Sequence, residues 1–428
     1  MAEDFSRRRF LQKGLFLGAG MTLVNAAQGN QDSIHDKLNL GIIGVDNRGG
    51  DNLNGVASQN IVALCDTNDN YLTRAKARFP QAKVYNDYRK MLEMKGLDAV
   101  VISTPDHHHA PATSLALHAG LHAYCEKPLT HTVSEARKIA ELAKKYKRVT
   151  QMGTQIHAEN NYRRVVEVLQ SGAIGNVTEV HTWVSKVWSG KDKPTDTPAV
   201  PAHIHWNEWL GPADERPYHP DYLPATWRGY WDFGGGTLGD MACHHMDLPF
   251  WALGLRHPSQ VSAEGPAVHP YATPPWITVH YTFPAQGKRK EVQLTWYDGD
   301  RTPPILKEKG LPQWGGGNLF IGDKGMMMAD YGQYKLFPEN DFKDYTPPTP
   351  SIPNSIGHHN EWIQACKTGG PTTCNFDYSG ALTESVLLGN VAFRVGQKLE
   401  WDAKRLRAKN CPAADALIQA HYRSGWKV

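Results

Sequence analysis

The spacing of apolar and polar positions changes character about a third of the way along the chain. In the first part, short unbroken apolar runs recur at the interval of buried parallel strands: Leu38 to Ile43, Ile61 to Cys65, Leu97 to Ser103, Leu121 to Tyr124 and Val149 to Met152. Helical patterns lie among them. One runs from His109 to Ala119 and stops on Gly120 as at a C-cap, and another opens on the capping box Thr132-Val133-Ser134-Glu135 and reaches about Tyr146. After a further helical stretch, Asn160 to Ser171, the period becomes two: Val177 to Lys186, Trp276 to Phe283, Glu291 to Trp296, Asn318 to Ile321 and Met326 to Ala329. Gly322-Asp323-Lys324-Gly325 reads as a hairpin turn. Residues 190–225 and 298–317 are rich in Pro, Gly and Trp and read as long loops over a site. His358 to Ala365 and Gly380 to Gly396 read as helices, the second packing back on the first part, and Asp415 to Trp426 as a structural closing segment. The pattern predicts an α/β chain: a parallel-sheet domain over 38–153, then an α+β domain over 154–428 with an open, mostly antiparallel sheet.

The first strand runs directly into Gly44-Val45-Asp46-Asn47-Arg48-Gly49-Gly50. A strand, a glycine-rich turn and a helix in that order bring backbone N–H groups to a pyrophosphate, the Rossmann arrangement. The middle glycine of that pattern is replaced by Asp46, so the phosphates are expected further out or on the Asn47 and Arg48 backbone. The second strand ends in Asp66, about twenty residues after the turn, where an acid meets the ribose hydroxyls of NAD and repels the 2′-phosphate of NADP. NAD is therefore the expected cofactor. Its candidate contacts are Gly44, Asp46, Asn47, Arg48, Gly49, Asp66, Thr104, Pro105, Asp106, His109, Glu126, Lys127 and Gln155.

Lys127, in Tyr124-Cys125-Glu126-Lys127-Pro128, stands at the tip of a short strand, where open α/β sheets place their ligands, and is a candidate acid/base. The stretch Trp231-Asp232-Phe233-Gly234-Gly235-Gly236-Thr237-Leu238-Gly239-Asp240-Met241-Ala242-Cys243-His244-His245-Met246-Asp247 supplies its partners. Three glycines let backbone pass close to a ligand, and a helix starting near Thr237 puts Asp240 and His244 on one face, with Asp247 three residues further on. A carboxylate and an imidazole so placed can orient a hydroxyl and move its proton. Two other readings stay open: Asp240 fixing a structural histidine, or the histidines binding a metal with His203 and His205. No metal is assigned. Candidate substrate contacts are His157, Tyr162, Arg163, Trp227, Arg228 and His244.

Bulk composition narrows the class. The chain has 428 residues, 40% of them hydrophobic, enough to bury the core of two or three domains. Of its net charge of +3, two units come from Arg7, Arg8, Arg9 and Lys13 against Glu3 and Asp4, so no nucleic-acid or membrane-surface partner is indicated. Ser6-Arg7-Arg8-Arg9-Phe10-Leu11 with the apolar run Leu15 to Val24 is a twin-arginine leader pattern over residues 1–27, too short to span a bilayer. The expectation is export in folded form to the periplasm. Six scattered cysteines, with no Cys-x-x-Cys, read as buried free thiols rather than a disulfide scaffold, and a Cys366–Cys374 bridge is the alternative.

Gly41-Ile42-Ile43-Gly44 with Gly49, Thr104-Pro105-Asp106 with His109, Glu126-Lys127-Pro128, and Gly234-Gly235-Gly236 with Asp240 and His244 together resemble the Gfo/Idh/MocA oxidoreductase family over most of residues 38–426. Tyr124 to Thr130, Gly153-Thr154-Gln155 and the Trp362 and Trp426 regions look most like its exported Bacteroidetes and Planctomycetes branch. The resemblance implies hydride transfer between NAD(P) and a sugar, cyclitol or glycoside hydroxyl, a homodimer or homotetramer, and Lys127 relaying protons with Asp240 and His244. It also implies a cis Lys127-Pro128 bond. Export implies a tightly held, internally recycled cofactor. Two alternatives remain: an NAD-dependent glycosidase working through a transient 3-keto sugar, whose known examples look different at Glu-Lys-Pro, and a non-catalytic carbohydrate-binding protein.

Overall fold

The computed structural model describes residues 37–428, so the leader expected over residues 1–27 lies outside the described residues. Six strands form a parallel sheet: β1 (Asn39–Ile43), β2 (Asn60–Cys65), β3 (Lys83–Tyr85), β4 (Ala99–Ile102), β5 (His122–Cys125) and β6 (Thr150–Met152), in the order β3-β2-β1-β4-β5-β6. Ile42, Ala63, Val100, Val101 and Ala123 have no exposed surface, as strands covered by helices on both faces require. The helices are α1 (Arg48–Gly55), α2 (Asp69–Arg78), α3 (Tyr88–Met91), α4 (His109–His118) and α5 (Val133–Tyr146). The capping box at Thr132 and Glu135 is formed on both sides. Strand order reverses between β1 and β4, and the carboxyl ends of those two strands open the crevice where such sheets take ligands.

The second sheet has nine strands, in the order β13-β12-β11-β7-β10-β9-β8-β14-β15. These are β7 (Val177–Val184), β8 (Gln260–Glu264), β9 (Thr278–Phe283), β10 (Val292–Tyr297), β11 (Gly316–Gly322), β12 (Gly325–Ala329), β13 (Tyr334–Phe337), β14 (Leu399–Asp402) and β15 (Arg407–Ala408). Only the β7–β10 pair is parallel, so the sheet is mostly antiparallel, as the period-two runs imply. Strands β8, β13, β14 and β15 are additions to the expected set. β13 and β15 are the edge strands, and at two to five residues each the four are too short to show a clear period. The remaining helices are α6 (Asn160–Gln170), α7 (Trp206–Leu210), α8 (Gly236–His245), α9 (Asp247–Leu253), α10 (Pro304–Glu308), α11 (His358–Thr368), α12 (Phe376–Val395) and α13 (Asp415–Ile418).

Two helices tie the domains together. α12 lies on α5 and on β8, and α11 meets α1. Gln151 Nε2 donates to the His358 carbonyl at 2.7 Å, and Met152 N–H donates to the Cys374 carbonyl at 2.9 Å, so the β6 edge is sealed by the segment between those helices. Of the two long loops, residues 298–317 do not roof a site. Leu306 and Leu311 pack with Trp183, Leu319, Met328 and Phe337, covering one face of the second sheet instead. All six cysteines are buried and free, so Cys366 and Cys374 form no bridge.

Candidate active site

A cleft of about 840 Å³ runs from the β1 and β2 carboxyl ends across to the second domain. Its floor is the glycine turn. Gly44 has φ +82°, and a Cβ there would stand 2.5 Å from the Ser103 carbonyl oxygen; a Cβ on Gly49 would stand 2.2 Å from the Gly44 carbonyl oxygen. Both positions therefore require glycine for close strand–helix contact. The α1 N-terminus has no side-chain cap, since Asn47 makes no capping bond, so its orphan N–H groups are available to an anion. Asp46 turns aside: one oxygen accepts the Asn47 N–H at 2.7 Å and the other pairs with Arg74. This consumes one potential phosphate donor while neutralising the carboxylate. Asp66 accepts N–H bonds from Val45 and Asn68, both 3.0 Å, and burial lifts its carboxyl to about 6. The turn, the uncapped helix and the acid after β2 form a cradle that fits a dinucleotide.

Glu126 is buried and accepts from Asn52 Nδ2 at 2.9 Å and Gln155 Nε2 at 2.7 Å, which fixes the β5 tip. His109 lies behind the cleft wall, its ring spanning the Pro128 carbonyl at 2.6 Å and the Thr104 carbonyl at 2.9 Å. It holds the loop rather than reaching ligand space. The Lys127-Pro128 bond is cis.

From that loop Lys127 crosses to α8. Its Nζ donates to Asp240 Oδ1 at 2.5 Å and to the Asp240 carbonyl at 3.1 Å. Asp240 also accepts from Arg228 Nε at 3.1 Å and Trp188 Nε1 at 2.7 Å. Burial alone would raise the Asp240 carboxyl; the adjacent Lys127 and Arg228 charges outweigh it and hold the group far below the usual carboxylate range. His244, one turn on, lines the same cleft. Burial, reinforced by Lys127, keeps its imidazole neutral, and its Nδ1 has no partner. Asp106 is buried too, and its carboxyl is pushed up to about 7 by desolvation and by Asp240, against Arg228 and Lys127.

The predicted residues thus divide. Gly44, Asp46, Asn47, Arg48, Asp66, Thr104, Pro105, Asp106, Glu126, Lys127, Gln155, Trp227, Arg228, Asp240 and His244 line one cleft. Gly49 supports it through packing. The substrate assignments of His157, Tyr162 and Arg163 are corrected. His157 is buried, stacked on Trp251 with centroids 4.0 Å apart, and bonded to Asp247 at 2.9 Å. Tyr162 bonds the His244 carbonyl at 3.3 Å from within the core, and Arg163 is buried against Glu361 at 2.6 Å. Asp247 likewise leaves the site, because α8 ends at His245 and a new helix turns it toward His157 and Tyr378. Among the described residues the histidines at 203, 205, 244 and 245 form no convergent ligand set; His205 pairs with Asp69 and His245 with Tyr331. Sequence reasoning missed Lys186, Trp188, Tyr331 and Trp426 as site residues; His203, weighed only as a metal ligand, and Ile204 and Glu208, within the 190–225 stretch expected over a site, also line the cleft. Lys186 and Trp188 follow the carboxyl end of β7, the one positional signal available for them.

Two models of one protein family match the two halves: "Oxidoreductase family, NAD-binding Rossmann fold" over residues 38–154 and "Oxidoreductase family, C-terminal alpha/beta domain" over residues 161–301. Together they take in more than half of the chain. The chain belongs to the Gfo/Idh/MocA oxidoreductase family. It is 31% identical over 150 residues to an inositol 2-dehydrogenase of Salmonella typhimurium, covering 34% of this chain and 45% of that one. A glycosyl hydrolase family 109 protein of Shewanella putrefaciens is 27% identical over 211 residues, 46% of this chain and 40% of that one. The chain therefore spans less than half the length of these curated relatives. Among solved structures, the WlbA dehydrogenase of Bordetella pertussis in complex with NADH and UDP-GlcNAcA superposes with a TM-score of 0.61 at 18% identity, over 86% of this chain and 99% of that one. The aldose-aldose oxidoreductase of Caulobacter crescentus complexed with glycerol gives 0.59 at 17%, over 85% and 100%. At these identities the structures show a shared fold.

Proposed function

We propose that this protein is an NAD-dependent oxidoreductase that interconverts a hydroxyl and a keto group on a sugar, cyclitol or glycoside. The observation that carries the reading is the Lys127–Asp240 pair at 2.5 Å, made between the two domains at the cleft wall, with neutral His244 beside it. NAD, when bound, supplies the hydride acceptor or donor. Asp240, held anionic by three donors, is a poor proton acceptor; it fixes the position of Lys127 Nζ at the cleft wall. Lys127 then donates to the substrate oxygen and stabilises alkoxide character, while His244 takes the hydroxyl proton on oxidation and returns it on reduction. Trp227 and Trp188 offer aromatic surface for a sugar ring, and Arg228 lies over both, 4.3 Å and 5.5 Å from their ring centroids. Asp66 and Glu208 at the adenosine end disfavour a 2′-phosphate, which supports NAD over NADP.

The twin-arginine leader supports export to the periplasm, as in the branch that the sequence resembles, and a cofactor carried there must be retained and recycled within each turnover. The relationship to a glycosyl hydrolase family 109 protein favours one second reading, in which the transient keto sugar eliminates its aglycone before re-reduction. The experiment is to purify mature protein without added cofactor, denature it, and measure released nicotinamide nucleotide per chain. About one NAD per chain supports the proposal. Protein that is empty and takes up no NAD overturns it. Released aglycone on incubation with glycosides would select the glycosidase route.

A further inference from the structure

The adenosine end of the cleft is walled by Asp66, Asn68 and Tyr88 on the first domain, and by His203, Ile204 and Glu208 on the second. The latter belong to a strap, residues 203–211, that crosses from one domain to the other and is pinned at three places. At one end it adds a short bridge to the loop after β2: Asp69 N–H donates to the His203 carbonyl at 2.9 Å, and His205 N–H to the Thr67 carbonyl at 2.8 Å. At its middle, the Trp209 carbonyl sits 2.8 Å from His108 Nε2 and 3.2 Å from His107 Nε2. At its far end a segment distant in sequence holds it. Arg423 Nε donates to the Gly211 carbonyl at 2.5 Å, Arg423 Nη2 to the Asn207 carbonyl at 2.7 Å, and Arg423 N–H to the Pro212 carbonyl at 3.0 Å. Gly211 fits so tightly that a Cβ there would stand 2.0 Å from His108.

The same segment reaches the cleft itself. Trp426 lines it, with the Arg89 guanidinium 4.2 Å from the indole centroid and the Tyr88 and His108 rings edge-on at 5.8 Å. Its base is moored on α5, where Tyr422 Oη donates to Glu135 Oε1 at 2.6 Å and Ala420 N–H donates to Ser134 Oγ at 3.2 Å. A nucleotide whose ribose meets Asp66 therefore lies under a strap, and leaving at that end requires the strap to lift.

We propose that segment 419–428 is part of the nucleotide site: Arg423 clamps the strap shut and Trp426 walls the adenosine end, making the dinucleotide a retained group. This rests on the reading that the cleft takes NAD, and it assigns retention to particular residues outside the glycine turn and the Lys127 cluster. An arginine fork bound to two carbonyls is the suitable clamp, because its planar donors hold both at fixed spacing, which a rotating ammonium does not.

The test uses full-length mature protein loaded with etheno-NAD, a fluorescent NAD analogue, chased with excess unlabelled NAD. Arg423→Ala is expected to release the probe about 10- to 100-fold faster, as loss of charge-assisted bonds implies. Arg423→Lys should fall between it and the parent, and Trp426→Ala should also accelerate release. His205→Ala removes the side-chain pair with Asp69 at 3.1 Å beside the opposite pin without touching segment 419–428, and should move release the same way, which guards against a misfolded Arg423 variant. Far-UV circular dichroism of the nucleotide-free variants should match that of the parent, a match that a general loss of structure would not give. Variants that release the probe at the parent rate overturn the latch while leaving the NAD reading intact. A parent protein that never takes up nucleotide overturns both.

Discussion

Asp240 accepts hydrogen bonds from an ammonium, a guanidinium and an indole, and that determines its role more than its proximity to substrate does. A carboxylate so saturated does not titrate in the working range, so in the proposed reaction the proton traffic falls to Lys127 and His244. Replacing Lys127 by Ala should lower kcat about 10²- to 10⁴-fold, the usual weight of a positioned acid or base. Nucleotide content should be unchanged, and a variant that keeps its turnover would remove Lys127 from the chemistry. Asp106 behaves oppositely. Its carboxyl is desolvated and sits at about 7, so it gains a negative charge beside Lys127 and Arg228 as pH rises through neutrality. The pH profile of kcat/KM should therefore carry an inflection near 7 that is absent from Asp106→Asn. Persistence of that inflection in the variant would assign it to another group.

At the level of elements, the glycine turn works because β1 and α1 nearly touch. Gly49→Ala forces a methyl against the Gly44 carbonyl, a backbone atom that has no flexible end to swing away. The expected cost is about 1–3 kcal/mol of stability, the usual penalty of overpacking, with weakened NAD binding as α1 tilts off the phosphates. Melting and NAD titration of the variant check both; an unchanged affinity would mean that the nucleotide does not rest on α1. This turn was legible in the sequence because strand, glycine and acid are local in the chain, and so was the Asp240–His244 face of α8, a matter of four-residue spacing. What was not legible came from long-range placement. His157 and Arg163 have the residue types of a sugar site, but the short turn Gln155–Ala158 and α6 direct them into the core, where Asp247 and Glu361 await them. Trp188, Tyr331 and Trp426 sit on loops without period, and only the assembled sheets bring them to Lys127 or to Asp66.

Across the whole molecule, burial of imidazoles sets the response to acid. His108, His131 and His245 are pushed down to about 4 and His358 to about 3, each chiefly by desolvation, and His107 and His244 lie well below the ordinary value. A histidine that rests neutral when folded binds a proton at equilibrium only on unfolding, and His244 does so otherwise only transiently, from substrate. Between about pH 6.5 and pH 4 the unfolded chain therefore binds more protons, and stability falls as pH falls. The three buried carboxyls with large upward shifts act in the other direction: Asp66 at about 6, and Asp106 and Asp298 at about 7, hold protons in the folded state that the unfolded chain releases. The histidines outnumber them two to one, so acid should win. Lowering the pH from 7 to 4.5 should reduce stability by a few kcal/mol, on the order of 2–5, and lower Tm at a fixed scan rate. His108 belongs to this set: resting neutral, it donates from Nε2 to the Trp209 carbonyl of the strap at 2.8 Å, with Nδ1 facing the Tyr88 hydroxyl at 3.3 Å. A Tm that rises on acidification would show that the three carboxyls govern the balance, and would shift attention from the strap histidines to the Asp106 end of the cleft.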